Sequence, residues 1–116
     1  PFELHALHSR NPLYVRLSDG QVSNGYEIKI LNKTHNDATF ALSLDGLSEY
    51  TIEMRGAGDL KPASLHVGAD RVASFHVFVH ALPQAQASRN IRFTLTDTAS
   101  GTVAVYDSMF ISGEGK

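Results

Sequence analysis

The residues with most chemistry to offer are six histidines, His5, His8, His35, His66, His76 and His80, and two methionines, Met54 and Met109. Imidazole nitrogens and soft thioether sulfurs can ligate transition metals. Spacing decides whether they can act together. A strand chelate needs two ligands at i and i+2, and no two histidines have that spacing. His76 and His80 stand four apart on a predicted strand, about 13 Å at roughly 3.3 Å per residue. His5 and His8 are three apart and face opposite ways. His66 meets His76 or His80 only if the fold brings their strands together, which spacing does not decide. Met54 reads as core. No metal ligand is therefore expected in this chain. Serine, histidine and aspartate for a hydrolytic triad are present, but there is no Gly-x-Ser-x-Gly elbow and no acidic pair flanked by apolar residues. Gly56-Ala57-Gly58 lacks the lysine and strand-to-helix context of a phosphate loop. No catalytic residue is assigned, and the domain is not expected to be an enzyme.

The elements that carry these residues read as strands. Pro12 opens a short edge strand ending at Leu17, where a missing N–H costs nothing. Asp19-Gly20 and Asn24-Gly25 read as turn dipeptides. The long strand Asn24–Lys33 places Tyr26, Ile28 and Ile30 on one face and Glu27 and Lys29 on the other. The same alternation recurs with Phe40, Leu42 and Leu44, with Tyr50, Ile52 and Met54, and at Asn90–Thr96. Ser64–Val67 is a brief strand, and Pro83–Ser88 reads as a loop. In the last strand Val103 and Val105 share one face while Tyr106 and Phe110 share the other, which predicts a bulge near Asp107. Asn32-Lys33-Thr34 matches a glycosylation sequon and reads more simply as a turn. Regular turn signals between seven to nine short antiparallel strands predict an all-β, two-sheet sandwich, with a small barrel as the alternative.

The chain's 116 residues make one domain, 1–116, with 1–10 a linker or first strand and 113–116 a frayed tail. Ten basic and twelve acidic residues give a net charge of −2, so there is no basic field for nucleic acid. No apolar run is long enough to span a membrane. With no cysteine, the chain holds no disulfide and no thiolate ligand. It begins at Pro1 rather than Met, which reads as a piece of a longer protein.

The segment Val72–His80 is the most β-rich. Alternation sends Phe75, Val77 and Val79 to the core and His76, Phe78 and His80 to the second face. A phenylalanine between two imidazoles suits a contact anchor for a protein partner. Otherwise a loop, or the opening segment near Phe2, covers Phe78.

The stretch Arg10-Asn11-Pro12-Leu13-Tyr14-Val15, Leu17-Ser18-Asp19-Gly20, Asn24-Gly25-Tyr26 and Lys29-Ile30-Leu31-Asn32-Lys33 resembles the C-terminal immunoglobulin-like domain of the FixG/CcoG family of cytochrome c oxidase accessory proteins. Phe110-Ile111-Ser112-Gly113 fits its closing strand. Ser9 departs from the acidic residue expected there, and Glu114 from an expected proline. The resemblance implies an immunoglobulin-like sandwich carried by a membrane-bound parent on the periplasmic side of the bacterial inner membrane. The parent's 4Fe-4S clusters would lie outside this chain, which carries no cofactor of its own. It further implies a non-catalytic role in protein interaction or scaffolding during cbb3-type oxidase assembly, with oxidase assembly components as partners. The alternative is a copper- or small-ligand-binding module presenting metal to the parent's redox part. A carbohydrate-binding sandwich is less in keeping with the absence of tryptophan.

Overall fold

Strand alternation is strictest in the segment that the fold places at the middle of its first sheet. In the computed structural model Tyr26, Ile28 and Ile30 are fully buried. The structure describes residues 2–10, 12–54, 58–60 and 63–113. Among these are no helix and ten strand segments: β1 (Phe2–His8), β2 (Val15–Arg16), β3 (Val22–Asn32), β4 (Ala38–Asp45), β5 (Thr51–Met54), β6 (Gly58–Leu60), β7 (Ala63–Val67), β8 (Arg71–Ala81), β9 (Ser88–Asp97) and β10 (Val103–Ile111). They form two antiparallel sheets, ordered β1-β3-β8-β5-β6 and β10-β9-β4-β7. β1 pairs with the far part of β3, from Phe2↔Asn32 to His8↔Tyr26, and β2 continues along the same edge with Val15↔Ser23 and Arg16↔Val22. The two are pieces of one interrupted edge strand, so ten segments fill nine positions. This is an immunoglobulin-like sandwich.

The core lies between the sheets. Tyr26, Ile28, Ile30, Ile52, Val77 and Val79 from the first sheet meet Phe40, Leu42, Leu65, Phe93, Leu95 and Phe110 from the second. Phe75 and Met54 are half-buried and pack against the core's margin. Phe2 closes one end, its ring 4.8 Å from that of Phe40.

Several local expectations are corrected. Asn24-Gly25 is not a turn: both residues lie inside β3. The Asn24 side chain bonds across to the other sheet instead of to its own backbone. Its Nδ2 donates to the Ile111 carbonyl at 2.9 Å, and its Oδ1 accepts from the Ile111 N–H at 2.7 Å. The true turn lies earlier, where Gly20 adopts φ +91° and Asp19 Oδ1 accepts from the Gln21 N–H at 2.9 Å. The strand expected from Pro12 to Leu17 shrinks to Val15–Arg16, with Pro12 in a turn ahead of it. β10 carries no bulge: its register against β9 is unbroken from Val103↔Thr96 to Ile111↔Ser88. One phase turns Tyr106 and Phe110 inward and leaves Val103 and Val105 outside, where β-branched residues sit well opposite Thr94 and Thr96. The pattern break expected at Gly56–Asp59 lies partly outside the described residues, and Gly58 and Asp59 belong to β6. Asn32 is buried. Its Nδ2 donates to the carbonyls of Asn36, Val67 and Gly68, and its Oδ1 accepts from Thr34, so the sequon asparagine is committed to holding a corner.

Tyr26 joins the sheets a second time. Its hydroxyl donates to the Met109 carbonyl at 2.6 Å, and its ring meets Phe93 edge-on at 4.9 Å. Burial pushes the Tyr26 phenol above its ordinary range. The unfolded chain releases this proton near pH 10 and the folded chain keeps it, so the folded state binds more protons at alkaline pH and stability falls as pH rises. Urea titrations should show a loss of about 1.4 kcal/mol per pH unit above pH 10 from this group. Tyr26→Phe should remove that slope and, by leaving the Met109 carbonyl unpartnered, cost about 1–3 kcal/mol at neutral pH.

Candidate functional site

Register alone assembles the site on the outer face of the first sheet. β8 pairs with β3 and β5, so Ser23, His80 and Thr51 fall in one cross-strand row and Gly25, Phe78 and Glu53 in the next. Glu27 lies opposite His76 in the row after that. Gly25 is there for close approach. A Cβ on it would come within 3.2 Å of Phe78 Cε1 and of Ser9 Oγ, so the Phe78 ring lies directly over the strand.

The other wall comes from the interruption between β1 and β2. After His8 the chain lifts off the sheet edge, held first by the Ser9 N–H donating to the Gly25 carbonyl at 2.9 Å. It returns at Val15. The N–H of Leu17 then donates to the Gln21 carbonyl at 2.8 Å. Ser9, Pro12, Tyr14, Val15 and Leu17 stand over the β8 row and enclose a cleft of about 640 Å³, whose other lining residues include Glu53, His76, Phe78 and His80. The cover over Phe78 is therefore this excursion, not Phe2. Phe78 is half-buried, His76 is exposed and His80 is largely covered. His80 Nε2 sits 3.5 Å from Glu53 Oε1, and that carboxylate is 46% exposed. Glu53 is the one carboxylate among the described residues of the lining.

The remaining candidates are dispersed. The His5 ring packs on Tyr106, centroids 5.6 Å apart. His8 Nε2 donates to Asn24 Oδ1 at 2.7 Å. His35 lies 3.4 Å from Asp70 Oδ2. His66 Nδ1 lies 3.3 Å from Thr39 Oγ1 on the second sheet, and the Met109 sulfur accepts from Ser88 at that sheet's other edge. The fold thus brings His76 and His80 to one cleft and leaves His66 and Met109 on the opposite sheet. Among the described residues no group of three His, Cys, Asp or Glu side chains is placed to hold a metal ion. With no cysteine, the chain's donor set does not fit an iron–sulfur cluster. Outside the cleft, Lys33 beside Glu3 and Arg92 beside Asp107 hold those carboxyls below the usual carboxylate range. Both pairs are solvent-exposed and add little to stability.

Sequence reasoning missed Ser9, Pro12, Tyr14 and Glu53 as parts of the site. A proline and a tyrosine inside a would-be edge strand are a signal for an interruption. Glu53 had no such signal, because its place beside His80 depends on which strand β5 pairs with.

The family model described as "IG-like fold at C-terminal of FixG, putative oxidoreductase" matches residues 1–113. The chain belongs to this family. Nitrogen fixation protein FixG of Rhizobium meliloti (strain 1021) is 35% identical over 113 residues, covering 93% of the chain and 21% of that protein. Protein RdxB of Cereibacter sphaeroides is 29% identical over 120 residues, covering 99% of the chain and 24% of that protein. The crystal structure of a FixG-related protein from Vibrio parahaemolyticus superposes with a TM-score of 0.82 at 23% identity, covering 98% of both chains, a likeness in fold. The chain thus spans about a fifth to a quarter of the length of the curated relatives it matches.

In this FixG-family domain Phe78 is neither a core nor a free surface residue. Phe78→Ala should cost about 1–2 kcal/mol in a urea titration, between an ordinary surface change and a full core truncation. Gly25→Ala should move the ring off the strand, seen as a loss of its ring-current shifts in NMR spectra. A loss as small as 0.5 kcal/mol with unchanged spectra would mean the excursion does not hold the ring.

Proposed function

We propose that this domain is a non-catalytic docking and scaffolding module of a membrane-bound iron–sulfur parent. It works on the periplasmic side of the inner membrane during assembly of a cbb3-type cytochrome oxidase. Clusters and electron transfer belong to the rest of the parent, and this chain supplies a protein-contact surface. The observation that carries the reading is the cleft over His76, Phe78 and His80. A rigid sheet face supplies ordered aromatic and imidazole side chains, and a short excursion beside them supplies a second apolar wall, the arrangement of an anchor pocket at an interface. Family membership supports the parent's oxidoreductase setting.

The test is site-specific photo-crosslinking of the full-length protein in its own membrane. A photoreactive residue at position 78 should give adducts that mass spectrometry identifies as oxidase subunits or assembly factors. The same residue at position 105, on the outer face of the second sheet, should not. Adducts of that kind from position 105 alone, or none from either position in cells actively building the oxidase, would overturn the reading.

A further inference from the structure

The second sheet ends in a strand edge that the fold leaves open. In a strand the N–H and C=O of one residue point to the same side, and residues two apart point alike. At the two ends of β10 the Thr102 carbonyl accepts from the Asp97 N–H at 2.9 Å, and the Ser112 N–H donates to the Ala87 carbonyl at 2.8 Å. The even residues therefore serve β9. The odd residues face away from it, as the bonds of Met109 to Tyr26 and of Ile111 to Asn24 require. That leaves the N–H and C=O groups of Val103, Val105 and Asp107, with which no strand among the described residues pairs. Native edges of this kind are blunted by a bulge, a proline or a lysine. The segment Val103-Ala104-Val105-Tyr106-Asp107 has neither proline nor lysine, and its register against β9 is unbroken. Its single charge, Asp107, is paired with Arg92 at 2.7 Å. Val103 and Val105 are 55% and 50% exposed.

The open segment is its own complement in one register. Against an antiparallel copy of itself, free odd residues must meet free odd residues. Centring on Ala104 sets Asp107 against Gly101, which lies in the turn before β10 at φ +78°. Centring on Tyr106 sets Val103 against Met109, whose carbonyl Tyr26 already holds. Centring on Asp107 sets two carboxylates face to face. Centring on Val105 pairs every free residue: Val103 with Asp107 of the other copy, Val105 with Val105, and Asp107 with Val103, each pair exchanging two backbone hydrogen bonds. Ala104 then lies opposite the half-buried Tyr106, small against large, beside the His5 ring that Tyr106 packs on. The two Asp107 residues stand about 14 Å apart, from four residues of offset and one strand spacing, beyond the screening length of about 8–10 Å. From this we infer that β10 is a self-pairing edge: two copies of this domain join antiparallel about Val105, turning two four-stranded sheets into one of eight strands. The two-fold axis uses each open segment once, so the assembly closes as a dimer. Five residues a side make a small interface, in the range of weak, reversible pairs. The inference is independent of the cleft, which lies on the other sheet.

Sedimentation equilibrium of this chain should show a monomer–dimer equilibrium with a dissociation constant on the order of 100 μM. Val105→Lys sets like charges opposite one another at the axis and should weaken it about tenfold or more. Val105 is exposed, so the variant should keep its circular dichroism spectrum, and that measurement separates loss of pairing from loss of fold. Cysteines then read the register, since the chain has none of its own. Val105 meets itself at a Cα separation of about 5.5 Å, within disulfide reach, so Val105→Cys should oxidise to a covalent dimer. Val103→Cys and Asp107→Cys should each stay monomeric alone and should link when mixed. In the membrane, a photoreactive residue at position 105 should give an adduct of two parent chains, distinct from the oxidase adducts that test the docking role. A chain that stays monomeric up to about 1 mM, a dimer that Val105→Lys leaves intact, or Val103→Cys linking to itself as fast as Val105→Cys would each overturn the inference.

Discussion

Two buried polar side chains of β3 fix how the sheets sit on one another. Asn24 exchanges both of its amide groups with the backbone of Ile111, and Tyr26 donates to the carbonyl of Met109. Each bond satisfies two groups at once: a side chain that burial would otherwise penalise, and an edge of β10 that no strand among the described residues pairs on that side. A shift of the second sheet by one residue would break all three bonds. Hydrophobic contact holds the sheets together but is indifferent to register, and these bonds are not.

The same constraint reaches the cleft. His8 donates to the Asn24 oxygen that Ile111 also uses, so the end of β1 is pinned at the point where β3 crosses toward β10. The following residue, Ser9, bonds the carbonyl of Gly25, the neighbour of Asn24. The chain thus leaves the sheet edge at a fixed place, one residue from the inter-sheet clamp. What stands over Phe78 follows from where that departure occurs.

Much of this was legible in the sequence. Five alternating segments supplied the core, and the outward set His76, Phe78 and His80 was correct because a strand has only two faces. Asn24-Gly25 misled because dipeptide preference describes local choices, whereas Asn24 found its partner 87 residues away and Gly25 was needed for an approaching ring. In β10 the expectation of a bulge assumed that every valine seeks the core. An outer sheet face rich in threonine accommodates Val103 and Val105 at little cost. The site's composition was hidden for a related reason: Tyr14 and Glu53 reach it from a strand interruption and from a non-local pairing.

A cleft of this construction has one rigid surface and one adaptable one. The positions of Gly25, Phe78 and Glu53 are set by ladder hydrogen bonds on both sides of β8, with strands about 4.8 Å apart and same-face residues along a strand about 6.6 Å apart. They cannot move without breaking the sheet. Ser9, Pro12 and Tyr14 occupy a connection between two pieces of edge strand, where β2 contributes only two paired residues. Opening it costs far less than deforming the sheet. Charge and ring positions, which discriminate among ligands, therefore lie largely on the rigid floor. The depth of the cleft, which sets how much of a ligand is covered, lies with the roof. Substitutions at Ser9, Pro12 or Tyr14 can then change how much of a ligand is covered while the side chains of the floor stay in place, so selectivity and strength are separable properties of this face.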